Sequence, residues 1–381
     1  MTFEDEQRTE RSGTEPTGIG TGGGTAGSDT GPDPAADPVR GTPRGSAPAP
    51  LSILDLATVG IGYSPGEALA TTTALAQQAE QLGYHRFWVA EHHGMPGVAS
   101  STPAVLLAHL GARTSTLRLG SGGVMLPNHA PLAIAEQFGM LEALHPGRID
   151  LGLGRAPGTD MATARALRRG TEEGPDDFPF QLSELTHFLD GDFPDGHPYA
   201  RLTAVPRDAS RPPVWLLGSS GFSAQLAGRL GLPFAFAHHF SAANTVPALD
   251  LYRSSFRPSA VLDAPYALIG VNAVASEEPG QALRLARSSG LAMLRLRKGT
   301  PDLIPSPEEA EAYPYSAAES EFMKGWLANL VIGLPGEVAD GLEELRKRTG
   351  ADELMVTSHI HGHQNRLRSY RLIAEAYGLT G

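Results

Sequence analysis

The sequence contains no cysteine, which excludes disulfides, thiolate metal sites, iron–sulfur clusters and a cysteine nucleophile. It also lacks any apolar run near the roughly 18 residues that a membrane-spanning helix needs. Its first ten residues are polar and acidic, without the basic start and apolar core of a secretory signal. The formal net charge of −12 disfavours nucleic acid and anionic membranes as partners. Together these absences predict a cytoplasmic protein that binds neither nucleic acid nor membrane.

Large apolar side chains are almost missing from residues 1–50, which consist mainly of Gly, Pro, Thr, Ala, Ser and Asp. Such a segment buries too little surface to offset the entropy lost on ordering. The sequence therefore predicts a disordered tail over 1–50 and one folded domain over 51–381.

Short apolar runs alternate with amphipathic stretches from Leu51 onward. Eight strands are predicted, at Leu51–Thr58, Arg86–Ala90, Leu117–Ser121, Ile149–Leu153, Val214–Leu217, Pro233–Ala237, Tyr266–Ala273 and Glu353–Thr357. Continuous apolar runs of this kind suit parallel strands that are covered on both faces. Alternation of strands and helices requires parallel pairing with right-handed crossovers. The pattern predicts an α/β fold, a (β/α)8 TIM barrel.

Two connections are longer than simple turns. Residues 155–213 follow the fourth predicted strand, and residues 274–352 follow the seventh. Long excursions in a compact fold are functional or disordered. Since the active site of a barrel lies at the C-terminal ends of its strands, these excursions are expected near the site.

Polar residues follow most of the predicted strands and meet at one mouth of the barrel. They are Glu91, His92 and His93 after the second strand, Arg155 after the fourth, Gly218–Ser223 after the fifth, His238 and His239 after the sixth, and His359, His361 and His363 after the eighth. Chance would scatter such residues over both ends of the barrel. The distribution therefore predicts a site at this mouth.

The segment Gly218, Ser219, Ser220 to Ser223 has the chemistry of an anion site. Glycine lets the backbone approach a ligand, and the following helix directs free N–H groups toward it. Arg155 is able to add charge-assisted hydrogen bonds to a phosphate. An ordinary strand-to-helix turn explains the local sequence equally well. No Walker lysine follows, and no Gly-x-Gly-x-x-Gly follows the first strand, so a nicotinamide-binding Rossmann unit is not indicated.

Two further patterns leave alternatives open. Gly122 and Gly123 permit a backbone that lies flat against a planar ligand, or form a β-bulge. His92 and His93 beside Glu91 suit acid–base chemistry because a carboxylate orients an imidazole, but histidines are also structural. The alternating histidines after the eighth strand form either a metal site or a solvated loop.

Four ordered segments carry a resemblance to a known family. They are Phe87–His93, Val124–Pro127 with Pro131 and Glu136, Gly147–Arg155, and Pro213–Ser220. These segments resemble, in order and spacing, the motifs of bacterial luciferase α subunits and their relatives. The segment Arg155–Asp160 resembles the single-chain branch rather than the light-emitting heterodimer.

The resemblance implies a (β/α)8 barrel that binds reduced FMN and reacts with O2. The C4a-(hydro)peroxide so formed oxygenates a small organic substrate. His92 matches the imidazole near the flavin ring, with Glu91 and His93 completing the predicted catalytic set. Gly122 and Gly123 match a pair that lies against the flavin and is joined by a non-prolyl cis peptide in luciferase.

The same resemblance implies phosphate contacts from Arg155, Ser220 and Ser223. Two departures are present, because luciferase α subunits carry a reactive Cys at the position of Gly154 and an acidic residue at that of Ser219. Ser219 makes the pocket more favourable for an anion. The missing Cys indicates that a thiol is not needed for the shared chemistry.

Because no nicotinamide fingerprint is present, a separate reductase is expected to supply the reduced flavin. Relatives often form homodimers through the helices near strands two and three, and residues 295–315 are predicted to close over the flavin as a mobile lid. Three other functions remain open: hydride transfer with the deazaflavin F420, non-catalytic flavin binding, and metal-dependent hydrolysis. The substrate is not predicted, although an apolar pocket is expected from the aromatic and Met side chains of Met125, Phe222, Phe234, Phe236 and Phe240.

Overall fold

The computed structural model describes residues 37–156, 158–167, 177–207 and 210–380. The predicted tail up to residue 36 therefore lies outside the described residues, as do parts of the first long excursion.

Parallel strands form the centre of the structure. The described residues contain ten strands, Leu51–Asp55 (β1), Arg86–Val89 (β2), Arg118–Ser121 (β3), Val124–Met125 (β4), Ile149–Gly154 (β5), Val214–Gly218 (β6), Phe234–Phe236 (β7), Ala267–Ala275 (β8), Val331–Gly333 (β9) and Glu353–Thr357 (β10).

Eight of these strands close into a barrel, in the order β1, β2, β3, β5, β6, β7, β8 and β10. Closure is completed where β10 pairs with both β8 and β1. The short β4 pairs with β5 near the mouth, and β9 pairs with the far end of β8. The predicted (β/α)8 TIM barrel is confirmed, and its strands are those that the apolar runs predicted.

Helices surround the barrel. Those among the described residues are Pro65–Leu82 (α1), Pro103–Gly111 (α2), Pro131–Leu144 (α3), Met161–Leu167 (α4), Phe178–Asp190 (α5), Gly221–Leu230 (α6), His238–Ser241 (α7), Thr245–Ser255 (α8), Gln281–Arg297 (α9), Pro307–Ala312 (α10), Ala317–Leu327 (α11), Pro335–Thr349 (α12) and His363–Tyr377 (α13). Within the described part of the chain, no helix combines the length and the apolar character required to cross a bilayer.

The first helix shows how local sequence sets these elements. The Ser64 hydroxyl accepts a hydrogen bond from the Glu67 backbone N–H, and the Glu67 carboxylate accepts one from the Ser64 N–H. This reciprocal pair satisfies two backbone donors at the start of α1. Gly83 ends the helix in the left-handed region, at φ 83°, where glycine has no steric penalty.

A buried ionic cluster fills the N-terminal end of the barrel. The Arg86 guanidinium pairs with Asp150 at 2.9 Å and with Glu353 at 2.8 Å, and all three side chains are fully buried. Trp88 donates its indole N–H to Asp150, and Tyr266 donates its hydroxyl to Glu353. Because each buried charge has partners, the cluster avoids the cost of an unpaired ion. The N-terminal end of the barrel is thus filled by side chains, whereas two cavities lie at its C-terminal mouth.

Residues 37–50 were predicted to belong to the disordered tail, but they pack against the barrel. Val39, Ala47 and Ala49 are buried. The Val39 carbonyl oxygen accepts a hydrogen bond from Arg86, 2.7 Å away. These three apolar side chains lie over the filled end of the barrel. Amino-acid composition alone does not reveal these contacts, because the segment contains so few apolar residues.

Both long excursions contain regular structure. The first carries α4 and α5, and α5 packs against α3. The second carries α9, α10, α11, β9 and α12. Residues from both excursions line a cavity at the mouth, as the position of the excursions predicts.

Candidate active site

A cavity of about 320 Å³ lies at the C-terminal ends of the barrel strands, and we call it the inner cavity. Its floor is apolar and includes Leu54, Trp88, Leu268 and Met355. All seven predicted cofactor-binding residues line it, namely Gly122, Gly123, Arg155, Gly218, Ser219, Ser220 and Ser223. Three strand ends supply these residues, those of β3, β5 and β6, so the fold brings together groups that lie far apart in the chain.

A second cavity of about 650 Å³, the outer cavity, lies beside the inner one. Residues of β8, α9 and the segment 299–304 form much of its wall. Six residues line both cavities, namely Leu56, His92, Gly158, His239, Phe240 and His359. A ligand in the inner cavity would therefore contact one in the outer cavity at a boundary lined by three imidazoles.

His92 lies at this boundary with a defined tautomer. Its Nδ1 atom is 3.0 Å from the Gly158 carbonyl oxygen, which accepts a hydrogen bond and therefore requires a proton on Nδ1. The Nε2 atom then carries a lone pair. Burial lowers the pKa of His92 below its ordinary value, partly offset by the hydrogen bond to Gly158 and by the charge of Glu91. The imidazole is therefore neutral at pH 7.

Glu91, next to His92 at the end of β2, accepts several hydrogen bonds from neighbouring residues. Its carboxylate is fully buried and accepts hydrogen bonds from His129 Nε2 at 2.8 Å, His93 Nε2 at 3.0 Å and the Met125 backbone N–H at 3.1 Å. Burial opposes its ionisation, but these hydrogen bonds prevail and lower the pKa of Glu91 below its ordinary value. These hydrogen bonds join the end of β2 to the segment after β3.

His93 lines the outer cavity while its Nε2 atom contacts Glu91. The three predicted catalytic residues are thus adjacent, but they face different surroundings. His92 contacts both cavities, His93 contacts one, and Glu91 holds His93 in place.

His239 and His359 complete the boundary between the cavities. His239 Nδ1 lies 3.0 Å from the Gly270 carbonyl oxygen, so that its Nε2 also carries a lone pair. Burial lowers the pKa of His239 to about 4. Burial, together with the nearby His239 and Arg366, lowers the pKa of His359 to about 3. The boundary therefore presents uncharged imidazoles at neutral pH.

The glycine pair forms one wall of the inner cavity, and the Gly122–Gly123 peptide is cis. A Cβ atom on Gly122 would lie 2.6 Å from Leu54 Cδ1, and one on Gly123 would lie 2.9 Å from the Gly152 carbonyl oxygen. Both approaches are shorter than real Cβ contacts. Only glycine fits here, and the wall is bare backbone against which a planar group fits.

The opposite end of the inner cavity is polar. Helix α6 begins after Ser220, whose side chain makes no capping hydrogen bond. Ser223, in the first turn, is buried and lines the cavity. The Arg155 guanidinium lies over the Phe222 ring, 4.4 Å from its centre. A helix N-terminus, serine hydroxyls and an arginine together suit an anion such as a phosphate.

The three alternating histidines near the C-terminus separate. His359 lines the cavities, whereas His361 contacts the Ile61 carbonyl oxygen and His363 stacks on Tyr63. They do not share a face, because the chain bends at Gly362 (φ 89°) and enters α13 at His363. Among the described residues, no group of three His, Asp or Glu side chains is arranged to hold a metal ion.

The predicted lid, residues 295–315, lies over the outer cavity. Gly299, Pro301, Asp302 and Ile304 line that cavity. Ile304 donates a backbone hydrogen bond to Val59 and accepts one from Ile61, at 3.0 and 2.9 Å. The segment thus contacts the side of the site next to the predicted flavin pocket, and its movement stays a prediction.

The predicted aromatic lining is present in part. Met125, Phe236 and Phe240 line the inner cavity. Phe234 instead belongs to the buried core, and Phe222 lies outside the cavity wall against Arg155. Phe234 and Phe236 lie two positions apart in β7 and so face the same side of the strand, but only Phe236, the one nearer the mouth, lines a cavity.

Sequence reasoning did not assign several residues that the fold brings to the site. His239 and His359 were noted only as residues after strand ends, and Asn272 was not noted at all. Asn272 lies in β8, where it is the one polar side chain in an otherwise apolar run. That interruption was the available signal, because a buried polar side chain requires a partner.

Enzymes with a (β/α)8 barrel carry their active sites at the C-terminal ends of the strands, where both cavities of this protein lie. The family of luciferase-like monooxygenases matches residues 50–353. The chain belongs to this family, and it is therefore an oxidoreductase that uses O2.

Three relatives show how closely the family resembles the whole barrel. YvbT of Bacillus subtilis is 51% identical over 86% of this chain and 96% of its own. A luciferase-like monooxygenase of Escherichia coli K12 is 47% identical over 84% of this chain and 95% of its own. The N-acetyl-S-alkylcysteine monooxygenase of Bacillus subtilis is 37% identical over 86% and 97%.

Solved structures of other proteins have the same barrel fold. The crystal structure of apo-MsnO8 has a TM-score of 0.79 and 39% identity over 87% of this chain and 99% of its own. Two more distant structures share only the fold. The oxygenating constituent of 3,6-diketocamphane monooxygenase of Pseudomonas putida, in complex with FMN, has a TM-score of 0.65 at 17% identity and covers 87% of this chain and 98% of its own. An F420-dependent secondary alcohol dehydrogenase has a TM-score of 0.61 at 13% identity and covers 86% and 99%.

Proposed function

We propose that this monooxygenase binds reduced FMN in the inner cavity and oxygenates a small organic substrate in the outer cavity. The observation that carries the proposal is the convergence of seven predicted flavin-binding residues on one cavity that joins the other at His92. The inner cavity has a glycine wall and a polar end that fit FMN, and the outer cavity has an apolar wall that fits an organic substrate. The neutral imidazole of His92 lies between the two ligands.

The chemistry of the inner cavity fits a flavin mononucleotide. The backbone of Gly122 and Gly123 would lie against the ring system, above the apolar floor. Ser220, Ser223 and Arg155 would hold the phosphate at the start of α6. When bound in its reduced form, the flavin would supply the reaction with O2, by way of the C4a-(hydro)peroxide that the family resemblance implies.

His92 would hold and move a proton at Nε2. Because Nδ1 donates to the Gly158 carbonyl oxygen, the imidazole is fixed in orientation. Its lowered pKa leaves Nε2 free of a proton at neutral pH, ready to accept one from a reacting group and to return it. Glu91 would act indirectly, by fixing His93 and the segment around Met125.

Reduced flavin would come from a separate reductase, since the sequence contains no nicotinamide-binding fingerprint. A preparation of this chain with FMN, O2 and NADH or NADPH alone is expected to give no product. Adding a flavin reductase should start turnover. Sustained turnover with the nicotinamide and no reductase would contradict this part of the proposal.

Anaerobic titration with reduced FMN, followed by admission of O2 and absorbance spectroscopy, tests the cofactor. Riboflavin, which lacks the phosphate, serves as the comparison ligand. Arg155→Ala should weaken FMN binding roughly 10- to 100-fold, since a charge-assisted hydrogen bond contributes about 1.5–3 kcal/mol. It should leave riboflavin binding unchanged.

Arg229→Ala is the matched control, because Arg229 is an exposed arginine in the last turn of α6, at the end of the helix away from the predicted phosphate pocket. Equal losses for FMN and riboflavin in Arg155→Ala would show that the arginine does not read the phosphate. If reduced FMN fails to bind and reduced F420 binds, the cofactor of the distant dehydrogenase applies and the reaction becomes hydride transfer.

A homodimer is part of the same proposal. Val105 on α2 and Met140 and Leu144 on α3 expose 69%, 55% and 60% of their surfaces. Helices α2 and α3 contact each other, and large apolar side chains exposed on neighbouring helices are typical of interaction surfaces. We expect a dimer by light scattering, and a shift toward monomer for Leu144→Glu. A wild-type monomer at micromolar concentration would contradict the prediction.

A further inference from the structure

The outer cavity differs from the inner one in charge. Its wall is largely apolar, from residues such as Val98, Met293, Leu296 and Ile304. No Lys or Arg is found among the described residues that line it. The imidazoles at its inner end are neutral, because burial lowers the pKa of His239 and of His359. An anionic ligand at this inner end would therefore lose its hydration without gaining a cation.

The rim of the outer cavity carries negative charge. Asp160 and Asp302 both line it and are both exposed. Asp160 caps the start of α4 through Thr163, whose hydrogen bonds lower the pKa of Asp160 and keep it ionised. Asp302 accepts a hydrogen bond from the Leu303 backbone N–H, and no cation among the described residues pairs with it. Two carboxylates at the rim repel an approaching anion.

Three buried polar side chains other than histidine line this apolar wall, those of Thr58, Ser289 and Asn272, and Asn272 carries the one amide among the described lining residues. Asn272 is 4% exposed, in β8, two residues beyond Gly270 and on the same face of the strand. Its backbone pairs with β10, opposite Thr357. No hydrogen bond joins its side-chain amide to any other described residue. Its side chain lines the outer cavity, so its amide, which can both donate and accept hydrogen bonds, is available to a ligand there.

We propose that the outer cavity selects an uncharged, mainly apolar substrate that carries one carbonyl or hydroxyl group, and that Asn272 is the residue that binds this group. The proposal rests on the proposed function, because it assigns the substrate class of the same enzyme. Carboxylates and sulfonates are excluded by the apolar wall and the acidic rim. Asn272 determines orientation by holding the polar group at a fixed place relative to His92.

Trp326 provides a direct measure of binding, because it lines the outer cavity whereas Trp88 lies in the floor of the inner one. The probes are 2-nonanone and nonanoate, which have the same number of carbons and differ in charge. Each is titrated into the full-length protein before any flavin is added, and tryptophan fluorescence is recorded. Trp326→Phe is the control that identifies the signal from the outer cavity.

We expect 2-nonanone to bind at least about tenfold more tightly than nonanoate. Asn272→Leu, which is similar in volume, should weaken 2-nonanone about five- to tenfold, the effect of one lost hydrogen bond in a buried site. Equal affinities of the two probes, or no fluorescence change with 2-nonanone, would overturn the charge selection. Unchanged 2-nonanone affinity in Asn272→Leu would overturn the role of Asn272.

Asp302→Lys keeps the test informative if Asn272→Leu does not fold. Asp302 is exposed, so this change should leave folding intact while replacing a carboxylate at the rim by a cation. It should strengthen nonanoate binding relative to 2-nonanone binding at least about threefold; an unchanged ratio of the two affinities would contradict the acidic rim. Binding of reduced FMN is measured separately, so that failure of the flavin assignment and failure of this proposal are distinguishable.

Discussion

His92 donates from Nδ1 to the Gly158 carbonyl oxygen, 3.0 Å away, across the connection between the ends of β2 and β5. The hydrogen bond joins two strand ends that lie 66 residues apart in the chain. It fixes the tautomer that leaves Nε2 unprotonated at the boundary of the two cavities. The ring nitrogen of His92 that carries the proton is thus set by the Gly158 carbonyl group, which belongs to a different loop. The sequence of the segment Glu91–His93 does not determine it.

His92→Asn is expected to separate this hydrogen bond from proton transfer. The asparagine amide N–H₂ replaces Nδ1 toward Gly158, but nothing replaces Nε2. Flavin binding should remain, while single-turnover product formation falls about 10²-fold, the lower end of general acid–base contributions. His109→Ala, at an exposed position on α2, is the control. Full product yield from His92→Asn would remove His92 from the chemistry.

The stability of the protein should fall between pH 6.5 and pH 4 because of His239. Burial lowers the pKa of His239 to about 4 in the folded state, so the unfolded chain takes up a proton first as the pH falls. The difference from the ordinary value of 6.5 corresponds to about 3 kcal/mol, present above pH 6.5 and lost as the pH approaches 4.

Urea unfolding from pH 7 to pH 4 measures this effect. His239→Asn is the matched variant, because its amide can still donate to the Gly270 carbonyl oxygen but does not titrate. We expect a smaller loss of unfolding free energy across this range in the variant than in the wild type. Parallel pH profiles would show that His239 is not responsible.

Gly123→Ala is expected to damage the inner cavity. The added methyl group would lie 2.9 Å from the Gly152 carbonyl oxygen and 3.2 Å from Leu217 Cδ2. Overpacking against backbone costs about 1–3 kcal/mol, and the displaced wall should also weaken flavin binding. Gly325→Ala is the control, because nothing lies within 4 Å of its added methyl group and alanine favours the helix by about 0.5–1 kcal/mol. Thermal unfolding and flavin titration of both variants would falsify the idea if Gly123→Ala behaved like Gly325→Ala.

Two truncations test the role of residues 37–50. A chain that starts at Asp37 retains the buried Val39 and its carbonyl contact with Arg86, whereas one that starts at Leu51 loses both. Loss of a buried valine and of an acceptor for a buried guanidinium should destabilise the shorter chain by about 3 kcal/mol relative to the longer one. Equal urea midpoints for the two chains would assign residues 37–50 to the dispensable tail after all.

The sequence predicts the fold well, because the signals that set the ends of helices and the positions of strands act over a few neighbouring residues. Capping residues such as Ser64 and glycines such as Gly83 set the ends of helices, and continuous apolar runs mark buried parallel strands. Residues 37–50 escaped this reasoning, since three small apolar side chains among polar ones do not form a periodic pattern. Their order comes from contacts with the far end of the barrel.

The candidate site is predicted only to the level of which residues meet. Polar residues after parallel strands must lie at one mouth, so the membership of Gly122, Arg155 and Ser223 follows from the fold class. The contacts of Glu91, of His93 and of the three histidines after β10 could not be predicted from the fold class. Those roles depend on which side chain faces a cavity and which one a buried partner, and only neighbouring strands decide that.

The sequence by itself therefore determined the barrel, the order of its strands and the mouth at which the chemistry gathers, because helix caps, apolar runs and glycine positions act over a few residues. The tertiary structure decided the two cavities, the neutral state of the imidazoles between them and the exposure of Asn272 to the outer cavity. Burial and dielectric environment set those properties, and they arise only when strands and loops far apart in the chain enclose the same space.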